Sequence, residues 1–277
     1  MSGSAAPAAV SGIPTFGLGT YGRTGPDGLA SLREALSLGY RHLDTAQSYN
    51  TEANVGRAVR ESGLAREEVF ITTKIADSNL GRGRLTASLR ESLSALGVER
   101  ADLTLIHWPS QHDKIPMQDF LQELLRAKRD GLTRLIGVSN FTIALLARAA
   151  EIVGAEEIAT NQVEVHPYLQ NRKLRAFSDS LGVATTAYMP LARGRVSTDP
   201  VMMEIGARRG CTGAQASLAW LVANGMIVIP SARGRAHMAS NFGAVDVALT
   251  PADIAAIDAL DCGARIIDPP MAPDWDA

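Results

Sequence analysis

Cysteine is nearly absent from this chain: Cys211 and Cys262 are the only two among 277 residues. One disulfide is possible, a disulfide-built scaffold is excluded, and the count suits a reducing compartment. Long apolar runs are lacking as well. None approaches the ~18 residues of a membrane helix, so no membrane partner is expected. Nor is there a surplus of one charge: 27 basic residues face 29 acidic ones, for a formal net charge of -2. That balance argues against a nucleic-acid or anionic-membrane partner, while leaving room for a local basic pocket. The first ten residues are rich in Ser, Ala, Gly and Pro and lack a basic n-region and a long apolar h-region. They read as a flexible leader rather than a signal peptide. The expectation is a soluble cytoplasmic protein, with no metal site.

What is present is apolar mass. Hydrophobic residues make up 46% and charged residues 20%, enough for a full core and too much for a disordered chain. The length is long for one ordinary domain and short for two, but α/β barrels run to ~250 residues as one unit. Neither a linker between halves nor an internal low-complexity stretch is seen, so residues 1–277 are read as one domain.

Short strand-type runs alternate with helical periodicity. Strands are expected at Thr15–Thr20, Tyr40–Asp44, Val69–Lys74, Asp102–His107, Thr133–Ser139, Ala159–Val165, Val183–Met189 and Met226–Pro230. Helices are expected between them, for example over Asp27–Leu38, Glu52–Ser62 and Leu85–Leu96, with Gly39 and Gly97 as stops. Two further helical segments, Val201–Arg209 and Gly213–Ala223, precede the last strand, and two follow it, near Arg235–Val245 and Pro251–Leu260. Such alternation implies parallel strands covered by helices. Eight units at this length predict a closed α/β barrel, the (β/α)8 TIM fold, rather than an open sheet. The proline-rich tail after Asp261 has little periodicity.

Polar residues fall at the strand ends. Asp44, Lys74, His107, Ser139, Glu164 and Tyr188 each lie at or near the C-terminal end of an expected strand, one strand–helix unit apart. In a parallel barrel these ends share one face, where barrel active sites are built. An acid, a base, an imidazole and hydroxyls around one mouth form a catalytic inventory. Singly, each has a plainer reading: a helix cap for the Asp, a solvated rim charge for the Lys, a packed residue for the His. Their recurrence at the spacing of the fold favours function.

Gly17-Leu18-Gly19-Thr20-Tyr21-Gly22 also matches the dinucleotide fingerprint G-x-G-x-x-G, and Asp44 lies 22 residues beyond the third glycine. That fingerprint needs a helix opening at the glycines. Here Arg23-Thr24-Gly25-Pro26 intervenes. A Rossmann-type dehydrogenase stays as an alternative.

Over essentially its whole length the chain resembles the aldo-keto reductase family. The matching stretches are GYRHLDTAQSYNTEANVG (Gly39–Gly56), ITTK (Ile71–Lys74), LIHWP (Leu105–Pro109), GVSNF (Gly137–Phe141), NQVEVHPYLQ (Asn161–Gln170) and VIP (Val228–Pro230). Within the family it is most similar to bacterial 2,5-diketo-D-gluconate reductases, a likeness the tail Asp261–Asp276 supports. The resemblance implies NADPH-dependent reduction of a ketone or aldehyde, with keto-sugar acids or small dicarbonyls such as methylglyoxal as substrates. It also implies a monomer, and a tail (261–277) that acts as a substrate loop over the pocket. A catalytically idle nicotinamide-binding barrel with a regulatory role is the other alternative.

The resemblance carries a tetrad onto Asp44, Tyr49, Lys74 and His107. Reduction places negative charge on the carbonyl oxygen, so a proton donor must stand within hydrogen-bond reach. Tyr49 takes that role, with Lys74 expected to lower its pKa, Asp44 to hold Lys74, and His107 to orient and polarise the carbonyl. For the cofactor it implies Ser139, Asn140 and Gln162 at the carboxamide and Tyr188 stacked on the nicotinamide. Met189, Leu191, Arg193 and Gly194 would lie along the pyrophosphate. Gly19 and Thr20, Ser231, Ala232, Arg233, Arg235, His237 and Asn241 complete the set.

Departures from the family pattern fall in two places. Ser231 and His237 stand where many members carry Lys and Arg against the 2′-phosphate, which weakens phosphate attraction unless Arg233 or Arg235 compensates. NADPH is expected, with NADH possible. Ser240 replaces an acidic adenine neighbour, and Met189 a serine. On the substrate side Ala76 replaces a tryptophan. Tyr21, Trp108 and Trp275 are candidate walls beside Tyr49 and His107. Asn50 and Thr51 replace Gly and Asn.

Overall fold

The computed structural model of the protein describes residues 9–232 and 234–276. Eight parallel strands form one sheet: β3 (Leu18–Gly19), β4 (His42–Asp44), β5 (Phe70–Ile75), β6 (Ala101–Ile106), β7 (Thr133–Ser139), β8 (Ile158–Glu164), β9 (Ala184–Tyr188) and β10 (Ile227–Val228), each paired with the next in chain order. The two ends then meet. Phe16 bridges Val228 in parallel, Gly17 N–H donates to the Val228 carbonyl (2.8 Å), and Gly19 N–H donates to the Pro230 carbonyl (3.1 Å). The sheet is therefore a closed barrel, as expected, and the Rossmann alternative is overturned. At the seam a Cβ on Gly17 would lie 2.7 Å from the His42 ring, and one on Gly19 3.1 Å from the Ile229 carbonyl oxygen. The two glycines serve close strand approach. The first helix opens only at Gly25.

Strands β4, β5 and β8 are buried along their whole length, which is how strands covered on both sides read. Helices α1 (Gly25–Ser37), α2 (Glu52–Glu61), α3 (Arg84–Leu96), α4 (Met117–Arg129), α5 (Ile143–Val153) and α6 (Arg172–Ser180) follow β3 to β8. In α1 the buried residues Gly28, Leu29, Leu32, Ala35 and Leu36 make one stripe toward the barrel. Helix α3 stops at Gly97, whose φ of +66° closes the last turn. Two helices, α7 (Pro200–Arg209) and α8 (Gly213–Ala223), separate β9 from β10, and α9 (Arg235–Phe242) and α10 (Pro251–Asp258) follow it. The region expected as helix to Val245 breaks at Gly243 into a single 3-10 turn.

The floor of the barrel is a hairpin. β1 (Ala9–Val10) pairs antiparallel with β2 (Ile13–Pro14), and Ile13 packs among Phe70, Leu103, Leu105, Ala159, Ala184 and Ile227. The leader expected over residues 1–10 therefore ends in a paired strand at residue 9, while residues 1–8 lie outside the described residues. Among the described residues no helix is long and apolar enough to cross a membrane.

Candidate active site

Strand β4 delivers Asp44 and β5 delivers Lys74, neighbours in the barrel wall. Both are buried, and Lys74 Nζ donates to Asp44 Oδ1 and to the Thr45 carbonyl (2.9 Å). Gln162, from β8 across the barrel, donates from Nε2 to Asp44 Oδ2 (2.8 Å). The carboxylate is thus held from both sides, and the ammonium has one fixed position. That position is 5.0 Å from the centroid of the Tyr49 ring.

Tyr49 closes the 3-10 turn Gln47–Tyr49 after β4, and Asn50 follows it with φ +55°. The left-handed conformation accounts for one departure from the family pattern, since Asn tolerates it better than most residues. Thr51, the other, is buried and shares hydroxyl hydrogen bonds with Thr45 (2.7 Å) and Thr20 (3.1 Å). Tyr49 Oη lies 3.4 Å from His107 Nε2, and Ser48 Oγ lies 3.4 Å from Nδ1 of the same ring. The four tetrad side chains converge.

Burial and Lys74 together push the His107 pKa down to about 3, so the imidazole is neutral at ordinary pH. Burial raises the Tyr49 phenol, with Lys74 pulling the other way. The net direction is upward, which corrects the expectation that Lys74 would win. The phenol is therefore protonated at neutral pH, with the ammonium placed to favour the phenolate. Burial lowers the Lys74 pKa but Asp44 and Tyr49 raise it further, and it stays charged.

Beside this cluster, Tyr188 donates to Asn140 Oδ1 (2.8 Å). Asn140 Nδ2 donates to the His107 carbonyl (2.9 Å) and to Ser139 Oγ (3.1 Å), and Ser139 Oγ donates to the Gln162 carbonyl (2.8 Å). One network joins the ends of β7, β8 and β9 to the loop carrying His107. After Tyr188 the backbone takes left-handed conformations at Met189, Ala192, Arg193 and Gly194. Non-glycine residues there cost roughly 1–2 kcal/mol each, and such strain gathers at ligand-binding turns. This wound backbone beside a half-buried aromatic and two amides fits a nicotinamide dinucleotide.

Farther along the rim, Gly19 adjoins Ser231 across the seam, Thr20 is buried beside it, and Asn241 is buried on α9. Arg235 is turned toward α1, 3.2 Å from Ser37 Oγ and 3.8 Å from Glu34. Arg233 lies outside the described residues. Ser231 and His237 are exposed, and Ala232 is buried. Sequence reasoning missed Arg23. This buried side chain donates to Ser31 Oγ (2.8 Å) and to the Ala232 carbonyl, tying the loop after β3 to the loop after β10.

On the substrate side, Tyr21 is 74% exposed and meets Tyr49 edge to face at 5.2 Å. The Trp108 ring lies 6.4 Å from His107 and 6.2 Å from Trp275. Ala76 N–H is held by Gln47 Oε1 (2.9 Å), which also takes Asn79 Nδ2 (2.9 Å). Glu164 departs from its expected place on the rim. It is fully buried and accepts the backbone N–H of Ile266 (2.7 Å) and Ile267 (2.8 Å), with His166 Nε2 2.9 Å away. It anchors the tail.

A lysine, a carboxylate, a phenol and a neutral imidazole at the mouth of a parallel barrel define a class, and residues 12–262 match the Aldo/keto reductase family. The chain belongs to that family. It is 49% identical over 265 residues to the methylglyoxal reductase DkgB of Escherichia coli O157:H7, covering 95% of this chain and 99% of that protein. It is 35% identical to the morphine 6-dehydrogenase of Pseudomonas putida, covering 92% and 90%. Among solved structures, one whose description proposes a 2,5-diketo-D-gluconic acid reductase B superposes with a TM-score of 0.93 at 41% identity, over 96% of this chain and 95% of the other. The aldose reductase of Schistosoma japonicum gives 0.88 at 29% identity, with 95% of each chain covered.

Proposed function

We propose that the protein reduces the carbonyl of a small dicarbonyl or keto-sugar acid to an alcohol, with NADPH as the hydride source. The observation that carries this reading is the tetrad geometry: a protonated phenol and a neutral imidazole 3.4 Å apart, backed by a buried ammonium. The bound cofactor supplies a hydride to the carbonyl carbon. Tyr49 gives its proton to the carbonyl oxygen, and His107 orients that oxygen as a neutral hydrogen-bond donor. The phenolate that remains lies beside Lys74, whose charge Asp44 and Gln162 keep in place. A proton from solvent then restores Tyr49. Ser139, Asn140 and Gln162 would hold the carboxamide, Tyr188 would hold the nicotinamide ring, and the turn from Met189 to Gly194 would hold the pyrophosphate. Names of relatives support the substrate class: methylglyoxal for one, 2,5-diketo-D-gluconic acid for another. We place the enzyme in the cytoplasm as a monomer.

With Arg235 engaged by Glu34 and Ser37, and Ser231 and His237 at the family's cationic positions, Arg233 is the cation left to grip a 2′-phosphate, a weaker hold than the family's Lys and Arg. Loss of absorbance at the nicotinamide band is followed with methylglyoxal and 2,5-diketo-D-gluconate, using NADPH and NADH. The expected result is turnover with both cofactors, NADPH being favoured by no more than about 100-fold in kcat/KM, the worth of one charge-assisted contact. No turnover of either carbonyl with either cofactor would reject the reductase and favour an idle cofactor-binding barrel.

A further inference from the structure

The tail carries a cation for which the reaction so far has no use. Arg265 directly precedes the two residues whose amides Glu164 holds, so its backbone position is fixed from inside the barrel. Its guanidinium carbon lies over the Trp275 ring, 3.6 Å from the centroid. Trp275 is held in turn by its Nε1–H to Asp268 Oδ1 (2.8 Å) and packs against Trp108, the neighbour of His107. Asp276 accepts the Ile143 N–H (2.9 Å), and Gln111 donates to the Pro270 carbonyl (2.9 Å), so the strap is tied down along its length.

Arg265 Nη1 is buried without a hydrogen-bond partner, and among the described residues no carboxylate lies within ion-pair distance of this side chain. Leaving a guanidinium nitrogen so placed costs free energy unless an anion meets it. Burial lowers the pKa of this side chain, while Glu164, Tyr188, Asp268 and Asp276 act on it electrostatically in the other direction. Glu164 is not available to satisfy it in full, because both of its oxygens already accept main-chain N–H groups. A cation over Trp275, whose ring packs on the Trp108 next to His107, with an unmet donor, suits a planar carboxylate.

We propose that Arg265 binds a carboxylate carried by the substrate, holding a keto acid with its carbonyl against Tyr49 and His107. The proposal rests on the carbonyl-reductase reading and sharpens it: the preferred substrates are anionic, and neutral dicarbonyls are secondary. Among neutral and charged carbonyls of equal reactivity, Arg265 sets the choice.

The test compares wild type with Arg265→Met, which keeps the stem on Trp275, and with Arg265→Lys. Substrates are 4-carboxybenzaldehyde, its neutral carboxamide, and methylglyoxal. In Arg265→Met, kcat/KM for the carboxylate compound should fall about 10- to 100-fold, the size of a lost charge-assisted contact. The two neutral substrates and the NADPH Kd should be unchanged, and Arg265→Lys should recover part of the loss. Equal loss on charged and neutral substrates would overturn the proposal in favour of a packing role. Weaker NADPH binding without charge selectivity would assign the guanidinium to the cofactor's phosphates and overturn it too. Calorimetric binding of an unreactive carboxylate, benzoate, to the NADPH complex needs no turnover. If wild type reduces nothing, the reductase reading falls, and benzoate binding weakened in Arg265→Met still supports Arg265. Benzoate binding equally to both would reject it.

Discussion

Tyr49→Phe separates chemistry from folding in one atom. The substitution removes the hydroxyl and leaves the ring, so the edge contact with Tyr21 at 5.2 Å and the Lys74 ammonium 5.0 Å from the ring survive. The hydroxyl's partners in the free enzyme are His107 Nε2, 3.4 Å away and beyond the favourable range for an O–H donor, and Lys74, which keeps its bonds to Asp44 and Thr45 without it. Its loss should therefore cost at most about 1 kcal/mol, a Tm change of roughly 2–4 °C in a chain of this size. Proton donation to the carbonyl oxygen is a different scale, ~10²–10⁴-fold in rate, or roughly 3–5 kcal/mol of barrier. Thermal unfolding and single-turnover reduction of methylglyoxal, run on the same preparation with saturating NADPH, read the two scales independently. The expected pattern is a rate loss of at least about 10²-fold with a nearly unmoved Tm. Wild-type rates in Tyr49→Phe would refute the donor role. A rate loss matched by a large fall in Tm would show that the residue was needed for the fold instead.

Two further outcomes follow from the same structure. Reduction requires Tyr49 protonated, a condition met below its burial-raised pKa, and His107 neutral, a condition met above about 3; kcat should hence be flat from pH 5 to 9 and decline only above the ordinary phenol value of 10.0, whereas an inflection near pH 6–7 would mean that His107 titrates as an ordinary imidazole. Gly56→Ala should destabilise the protein by about 1–3 kcal/mol or more, because a Cβ there would run into the Leu96 carbonyl where α2 packs on α3, and an unchanged urea midpoint would show that the two helices can separate at little cost.

How much of this could be read in advance depends on where local chemistry decides the outcome. The barrel was legible because periodicity changes between strand and helix eight times, and helix stops such as Gly97 are local signals. The tetrad was legible through its motifs. Glu164 was not: its strand-end position is right, but the tail that closes over β8 comes from 102 residues further along. Arg265 was missed for a related reason, since a proline-rich tail has no period to place it. Arg23 sat inside what looked like a spacer, and its worth lies in the Ala232 carbonyl, 209 positions away. Lys74 pulls the phenol pKa down as expected, but the net upward direction was not legible, because a motif names the neighbouring charge and says nothing of the depth of burial.

The tail is moored through main-chain amides. Glu164 grips the N–H groups of residues 266 and 267, which every amino acid except proline possesses, so the mooring does not depend on which side chains stand there. Substitutions at residues 266 and 267 can therefore accumulate without loosening that grip. Asp44 and Lys74 stand on β4 and β5, and Tyr49 and His107 directly follow β4 and β6, all outside the strap. Inheritance of reactivity and inheritance of taste for a substrate are decoupled in this architecture, and descendants can change what they accept while keeping what they do.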